Sequence, residues 1–401
     1  MAQKRLMLLG GLRYLKPVID AAHKQGYYVI TADYLPKNIA HNWSDEYCNV
    51  SIIDKESVLR EAQHMKIDGI MSFACDPGVV AASYVQNKMG LPSFGPFESV
   101  EILQNKDKFR AFLTKNGFNC PWSFGVSSWK ETLGIKGEFT YPLIVKPTDS
   151  AGSKGVTRVD DESKLKYAVG YALDYSLSGR AIIEQFLEKK GCSSDSDCFV
   201  QDGEFKYISF SAQRFDENAA GAYVPAAYSW PATMSTRAEA ELQQELQRLM
   251  KLLKMKTAVY NIETRECADG KAYIMEVSPR GGGNRLAEMV RYSAGVDLIS
   301  AITRYCVGDS VPEIVQRDYD GHWAEVILHA DKDGVFDHLE ISEDFNGEVV
   351  EIDLWVKKGD EVKSFLGAND AIGTLVLRFQ TADELEKAIT NQRAWLKAVV
   401  E

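Results

Sequence analysis

The chain opens with short apolar runs that alternate with stretches of helical period. Residues 6–9 predict a strand, 17–25 a helix, 28–31 a strand, 56–65 a helix and 69–72 a strand. That alternation predicts a doubly wound parallel sheet. Gly90-Leu-Pro-Ser-Phe-Gly-Pro-Phe97 punctuates the pattern and closes a first domain, residues 1–97. The order then becomes mixed: a helix over 107–115, strands over 143–146 and 156–159, a helix over 162–175 and a strand over 181–186. Interleaved helices and strands of this kind predict α+β subdomains. Leu242, Leu246, Leu249, Met250 and Leu253 fall on one face of an amphipathic helix over 237–253. After Asp320, strands over 323–330, 348–356 and 372–379 and a closing helix over 382–399 predict a small C-terminal domain, 320–401. The expected fold class is therefore α/β and α+β.

Composition narrows the functional classes. With 401 residues the chain exceeds one hydrophobic core, and 45% hydrophobic with 26% charged residues is ordinary globular usage. No apolar run reaches the roughly 18 residues of a membrane span, and 6–9 is too short for a signal segment, so a cytoplasmic protein is expected. The seven cysteines are scattered without a C-x-x-C pair, which speaks against a disulfide framework and a zinc site. A formal charge of -11 disfavours nucleic acid as a partner. Small phosphates met by a few placed cations stay compatible with it.

The segment from Ala258 to Arg280 carries the most chemistry. Asp269-Gly270 predicts a two-residue hairpin turn, which places Glu263 opposite Glu276 and Asn261 opposite Ser278. Opposed residues have β-carbons about 4.5–5.5 Å apart, where two carboxylates repel unless a cation lies between them. Oxygen donors without His or Cys favour Mg²⁺ or Mn²⁺. The plainer alternative is that Arg265, on the same face, pairs with Glu263.

Lysines and glycines supply a second theme. Tyr141-Pro-Leu-Ile-Val-Lys146 is an apolar strand ending in lysine, followed by the loop Thr148-Asp-Ser-Ala-Gly-Ser-Lys-Gly155. Because Val-Thr-Arg-Val follows Gly155, the loop predicts a hairpin lid over phosphates and not a Walker loop. Lys108 sits in a cluster at a helix start whose Phe109, Phe112 and Leu113 face the core. Taken alone, that cluster is a solvated helix start. Gly10-Gly11 lacks the G-x-G-x-x-G spacing of a dinucleotide site and reads as a tight strand-to-helix turn.

In order, Asp107-Lys108, Lys146 with its glycine loop, Ile-Ile-Glu184-Gln-Phe-Leu, Glu263, and Glu276 before Ser-Pro-Arg280 resemble the ATP-grasp superfamily. The likeness is to the carboxylate-amine ligases related to biotin carboxylase, carbamoyl phosphate synthetase and glycinamide ribonucleotide synthetase. It covers nearly the whole chain. The resemblance implies a Rossmann-like preATP-grasp domain, an ATP-grasp domain over 98–319 with a lid subdomain near 120–190, and a C-terminal cap.

It further implies that Lys108 and Lys146 hold ATP phosphates, covered by Gly152, Ser153, Lys154 and Gly155. Glu184, Gln185, Phe186 and Leu187 would contact adenine largely through the backbone. Glu263 and Glu276 would bind Mg²⁺ (or Mn²⁺), with Ser278 standing where the family commonly has Asn. Arg280 would stabilise the transferred phosphoryl group, and Arg280 or Asn284 would hold a substrate carboxylate near Gly281 to Gly283. Gly191-Cys-Ser-Ser-Asp-Ser-Asp197 lacks the usual ribose-binding glutamate, leaving Glu188 in its place.

The implied activity is an ATP-dependent ligase that activates a carboxylate as an acyl phosphate and couples it to an amine. Its partners are small-molecule acids and amines, and a homodimer is compatible with the resemblance. Phosphorylation turns a poor electrophile into a good one, and phosphoryl transfer depends on positioning and charge neutralisation. A biotin-type carboxylase and a non-catalytic ATP-binding regulator are the competing classes. Turnover separates them: an acid and an amine for the ligase, bicarbonate and biotin for the carboxylase, none for the regulator.

Overall fold

A computed structural model describes residues 3–135, 137–149, 154–221 and 224–401; Gly152 and Ser153 lie outside these. The chain begins with a parallel four-stranded sheet in the spatial order Glu46–Asn49, Tyr28–Asp33, Arg5–Leu9, Gly69–Ser72. Leu6, Met7, Leu8 and Leu9 are all buried, as parallel strands covered on both faces require. The strand order turns back between Arg5–Leu9 and Gly69–Ser72, so a crevice lies beyond the carboxyl ends of these two strands. The loops leaving them carry Tyr14 and Asp76. Gly10 has φ 117°, so the tight turn after the first strand needs glycine.

Residues 123–185 form an antiparallel sheet in the order Ser123–Val126, Ala181–Gln185, Leu143–Pro147, Thr157–Val159. Helix Glu162–Asp174 covers it through Leu165, Ala168, Val169 and Ala172, giving this unit a core of its own. Leu143–Pro147 pairs with Thr157–Val159, so the loop between them spans a hairpin, as the sequence predicts.

A second antiparallel sheet has the order Glu204–Tyr207, Ser194–Gln201, Ala258–Glu266, Ala272–Ser278. Helix Thr236–Leu253 packs against this sheet, starting where Ser235 accepts the Ala238 N–H. Its predicted apolar face, Leu242, Leu246, Leu249, Met250 and Leu253, is buried throughout. One continuous core joins this layer to the first sheet. Gly69 marks how close the contact is, since a β-carbon there would lie 2.1 Å from the Cys306 carbonyl oxygen of helix Leu298–Cys306.

The strands after Asp320 complete a sheet begun much earlier. Its order is Ala212–Phe215, Pro225–Trp230, His322–Leu328, Gly373–Phe379, Glu348–Leu354. The expected closing helix over 382–399 is corrected. Helix Ala382–Thr390 stops at Asn391, a short turn Gln392–Trp395 follows, and Leu396–Val400 is a strand paired with Gly334–Ile341. The open edge of Gly334–Ile341 provides backbone partners, and Trp395, stacked on Phe345 with ring centroids 4.1 Å apart, fixes the switch. The seven cysteines are free thiols.

Candidate active site

Glu263 lies opposite Glu276, and Asn261 opposite Ser278, on the paired strands Ala258–Glu266 and Ala272–Ser278. The route to this register differs from the expected two-residue turn. Cys267 N–H donates to the Lys271 carbonyl, which encloses Ala268, Asp269 and Gly270 as a three-residue turn with Gly270 at φ 78°. Near the turn Glu266 therefore pairs with Ala272 and Arg265 with Tyr273. A bulge at Met275, between the pairs Thr264–Ile274 and Glu263–Glu276, shifts the strands back by one residue. The two departures cancel just before the acids.

Strand Ser194–Gln201 adds a carboxylate that sequence reasoning missed as part of this face. Asp195 lies opposite Glu263, and Asp197 opposite Asn261, so Asp195, Glu263 and Glu276 form one row across three strands. Burial, reinforced by the Glu263 charge, pushes the Asp195 carboxyl up to about 7. Burial also pushes Asp197 up to about 7, although it accepts the Gly282 N–H on both oxygens at 2.8 and 2.9 Å. Asp195 and Glu263 repel one another, and carboxylates sharing one face are the kind of hard oxygen donor that a divalent cation takes. Arg265 does approach Glu263, at 3.6 Å, which is the alternative that the sequence left open.

The lysine at this row is Lys106, whose Nζ is 3.2 Å from Glu276 Oε2. Burial lowers its basicity, but Glu276 outweighs burial and Lys106 ends above the usual lysine value. Lys108 points elsewhere: its side chain is 54% exposed and its Nζ is 3.9 Å from Glu101. The cause is helical geometry. In helix Lys106–Lys115, capped by Asn105, two residues apart means about 200° around the axis. Lys106 shares a face with the buried Phe109, Arg110 and Leu113, and Lys108 does not.

Lys146 ends its strand as expected, with Nζ 2.6 Å from Glu184 Oε2, while Arg110 Nε is 2.7 Å from Glu184 Oε1. Burial holds Lys146 below its ordinary value despite that partner. Burial alone would raise Glu184, but Arg110 and Lys146 pull it down to about 2. The Glu184 side chain therefore anchors two cations. The Gln185 and Phe186 N–H groups donate to the Trp122 and Pro142 carbonyls, and the Leu187 carbonyl accepts from Arg265 at 3.4 Å. Lys154 is exposed, and Gly155 has φ 74° at the foot of the hairpin. Glu188 lies 3.5 Å from Arg158.

Arg280 is held by the first sheet's crevice. Its Nε and Nη2 donate to the two oxygens of Asp76 at 2.8 and 2.6 Å, and its side chain is only 9% exposed. Ser278 Oγ donates to Asp76 at 3.0 Å and accepts from Gln104 at 2.8 Å, so that hydroxyl is engaged in holding the latch. Asn284 accepts from the Tyr14 hydroxyl at 2.9 Å and donates to the Tyr228 hydroxyl at 3.2 Å. Both Asn284 and Arg285 have positive φ, 51° and 56°, a strained pair of residues beside the site.

The glycines differ in purpose. A β-carbon on Gly281 would lie 2.2 Å from the Phe73 ring, and one on Gly282 would meet Leu286, Asn261 and Asp197 within 3.0 Å. Those two let the segment pack. Gly283 alone faces space, with Tyr14 3.9 Å away, and is where a ligand has room to approach.

Residues 139–288 match the family model described as ATP-grasp domain. The chain is 26% identical over 300 residues to the carbamoyl phosphate synthase large chain of Thermotoga neapolitana, covering 74% of this chain and 27% of that one. This chain thus spans about a quarter of that relative's length. Among solved structures, L-amino acid ligase from Bacillus licheniformis superposes with a TM-score of 0.81 at 19% identity. Phosphoribosylglycinamide synthetase from Anaerococcus prevotii does so with 0.76 at 19%, and both alignments cover 100% of each chain. At such identities they show a shared fold.

Proposed function

We propose that this chain, whose residues 139–288 match the ATP-grasp domain model, phosphorylates a carboxylate with ATP and couples the acyl phosphate to an amine. The observation that carries this reading is the pair Glu263 and Glu276, opposed on one face with Lys106 beside them. Glu263 and Glu276 would hold Mg²⁺ or Mn²⁺, which when bound supplies charge neutralisation at the phosphates. Lys106 and Lys146 would grip phosphate oxygens, each already aimed by an acid, Glu276 and Glu184. Arg280 would be positioned by Asp76 to meet the reacting carboxylate, and Asn284 to orient its substrate.

In this reading residues 1–97 and 320–401 flank an ATP-binding unit over 98–319. The hairpin ending at Gly155, within the lid over 120–190, would close over the phosphates and exclude water from the acyl phosphate. The coupling step points to an amine because one fold relative is named an L-amino acid ligase and another a phosphoribosylglycinamide synthetase.

A phosphate-release screen of carboxylates against amino acids, amino sugars and ammonia tests the reading. At least one acid and amine pair drives release of ADP and phosphate. In that assay Lys106→Met loses about 10²-fold, as expected for a group removed from transition-state charge, while Lys108→Met stays near wild type. Absence of release with every pair contradicts the ligase reading, and a loss confined to Lys108→Met contradicts the lysine assignment.

A further inference from the structure

Strand His322–Leu328 alternates its faces: Ala324, Val326 and Leu328 enter one apolar core, while Trp323 and Ile327 enter another against Leu286 and Met289. Glu325 sits between Trp323 and Ile327 on that second, otherwise apolar face. It is fully buried, and neither carboxylate oxygen has a hydrogen-bond partner. Among the described residues no other buried carboxylate has both oxygens unpartnered. Such a group needs an explanation, because native buried polar atoms are almost always paired.

The surroundings supply cations that are already used. Arg285 acts on Glu325 electrostatically, but its Nη2 is 3.0 Å from Glu288, and its Nη1 is 2.9 Å from Glu351 and 3.2 Å from Thr374. Arg291 acts on the same two acids, Glu288 and Glu351. Arg285 is thus committed to Glu288 and Glu351, and neither oxygen of Glu325 accepts a hydrogen bond from it. Burial, with the Glu288 charge added, drives the Glu325 carboxyl well above its ordinary value.

Glu325 also lies beside the candidate site. It is the cross-strand partner of Tyr228, whose hydroxyl donates to Asp195 at 3.4 Å and accepts from Asn284. Tyr14, Gly282, Arg285 and Glu288 line a small cavity, and the Tyr14 hydroxyl feels the Glu325 charge.

We propose that Glu325, a buried carboxylate without a hydrogen-bond partner and paired across the sheet with Tyr228, is the seat for the ammonium group of the acid that is activated. This deepens the ligase reading and rests on it: the acid would be an amino acid. An ammonium ion-paired to Glu325 has no lone pair for attack, so it would stay out of the coupling step while a second, neutral amine reacts.

Calorimetric titration of the full chain, saturated with ADP and Mg²⁺, tests the seat with each of the twenty L-amino acids and its 2-desamino counterpart. At least one amino acid binds wild type about 10- to 100-fold more tightly than its desamino counterpart, and Glu325→Gln removes that difference. The thermal midpoint of ligand-free Glu325→Gln equals or exceeds wild type, because the amide replaces a carboxyl that has no hydrogen-bond partner within the protein. Equal binding of both compounds to wild type, a preference that survives Glu325→Gln, or a lowered midpoint showing a partner within the protein would each overturn the proposal. Failure of phosphate release with every acid sinks the ligase reading instead, and the titration still reports on Glu325.

Discussion

Glu276→Gln lowers acid-dependent phosphate release by about 10²–10³-fold, the range seen when one preorganised charge-stabilising group is removed. The amide keeps the size of the side chain and can still accept a hydrogen bond from Lys106, which now sits 3.2 Å from a carboxylate oxygen. What it loses is one of the opposed negative charges of the Glu263–Glu276 pair. Stability should change little, since Glu276 is 36% exposed at its side chain. Steady-state phosphate release alongside a thermal melt separates the two effects. Full turnover by Glu276→Gln in a productive assay would mean that the metal assignment is wrong.

The second large effect is on folding. Glu184→Gln leaves Arg110 and Lys146 buried without their shared counter-charge, and it should cost about 3–5 kcal/mol, as breaking a buried ion pair on one side does. The pH dependence follows from the depressed carboxyl. Glu184 titrates at about 2 in the folded protein and at about 4.3 when unfolded, so its stabilisation is fully present above the unfolded value. It is lost as the pH falls through the folded value. Urea denaturation should therefore show a wide gap between wild type and variant at pH 7 that narrows by pH 3. A gap of equal size at both would contradict the charge account.

Elements whose partners are local in sequence were legible. The alternating start reads directly because parallel strands must be covered on both faces, and helix Thr236–Leu253 reads because Leu242 to Leu253 keep one period. The Glu263–Glu276 register was reached through a turn one residue too short, corrected by the bulge at Met275. Bulges carry little sequence signature, so that agreement is partly chance. Lys106 was readable in principle, since it shares the periodic face of Phe109 and Leu113 that the sequence had already identified.

Long-range features were not legible. Asp76 and Arg280 are 204 residues apart, and no local spacing foretells their ion pair. Glu325 interrupts an apolar strand, but a lone acid in such a strand looks the same whether it is exposed at an edge or buried in the centre. The final strand Leu396–Val400 was hidden for a related reason, because its partner Gly334–Ile341 lies far back in the chain.

The central claim is that ATP activates a carboxylate as an acyl phosphate, and isotope transfer tests it most directly. The full chain is incubated with ATP, Mg²⁺ and a pool of the twenty L-amino acids labelled with ¹⁸O in their carboxyl groups, and the released phosphate is analysed by mass. Attack of the carboxylate on the γ-phosphorus predicts that phosphate leaves with one carboxyl-derived ¹⁸O, alongside ADP. Release of unlabelled phosphate, or of AMP and pyrophosphate, would contradict the account.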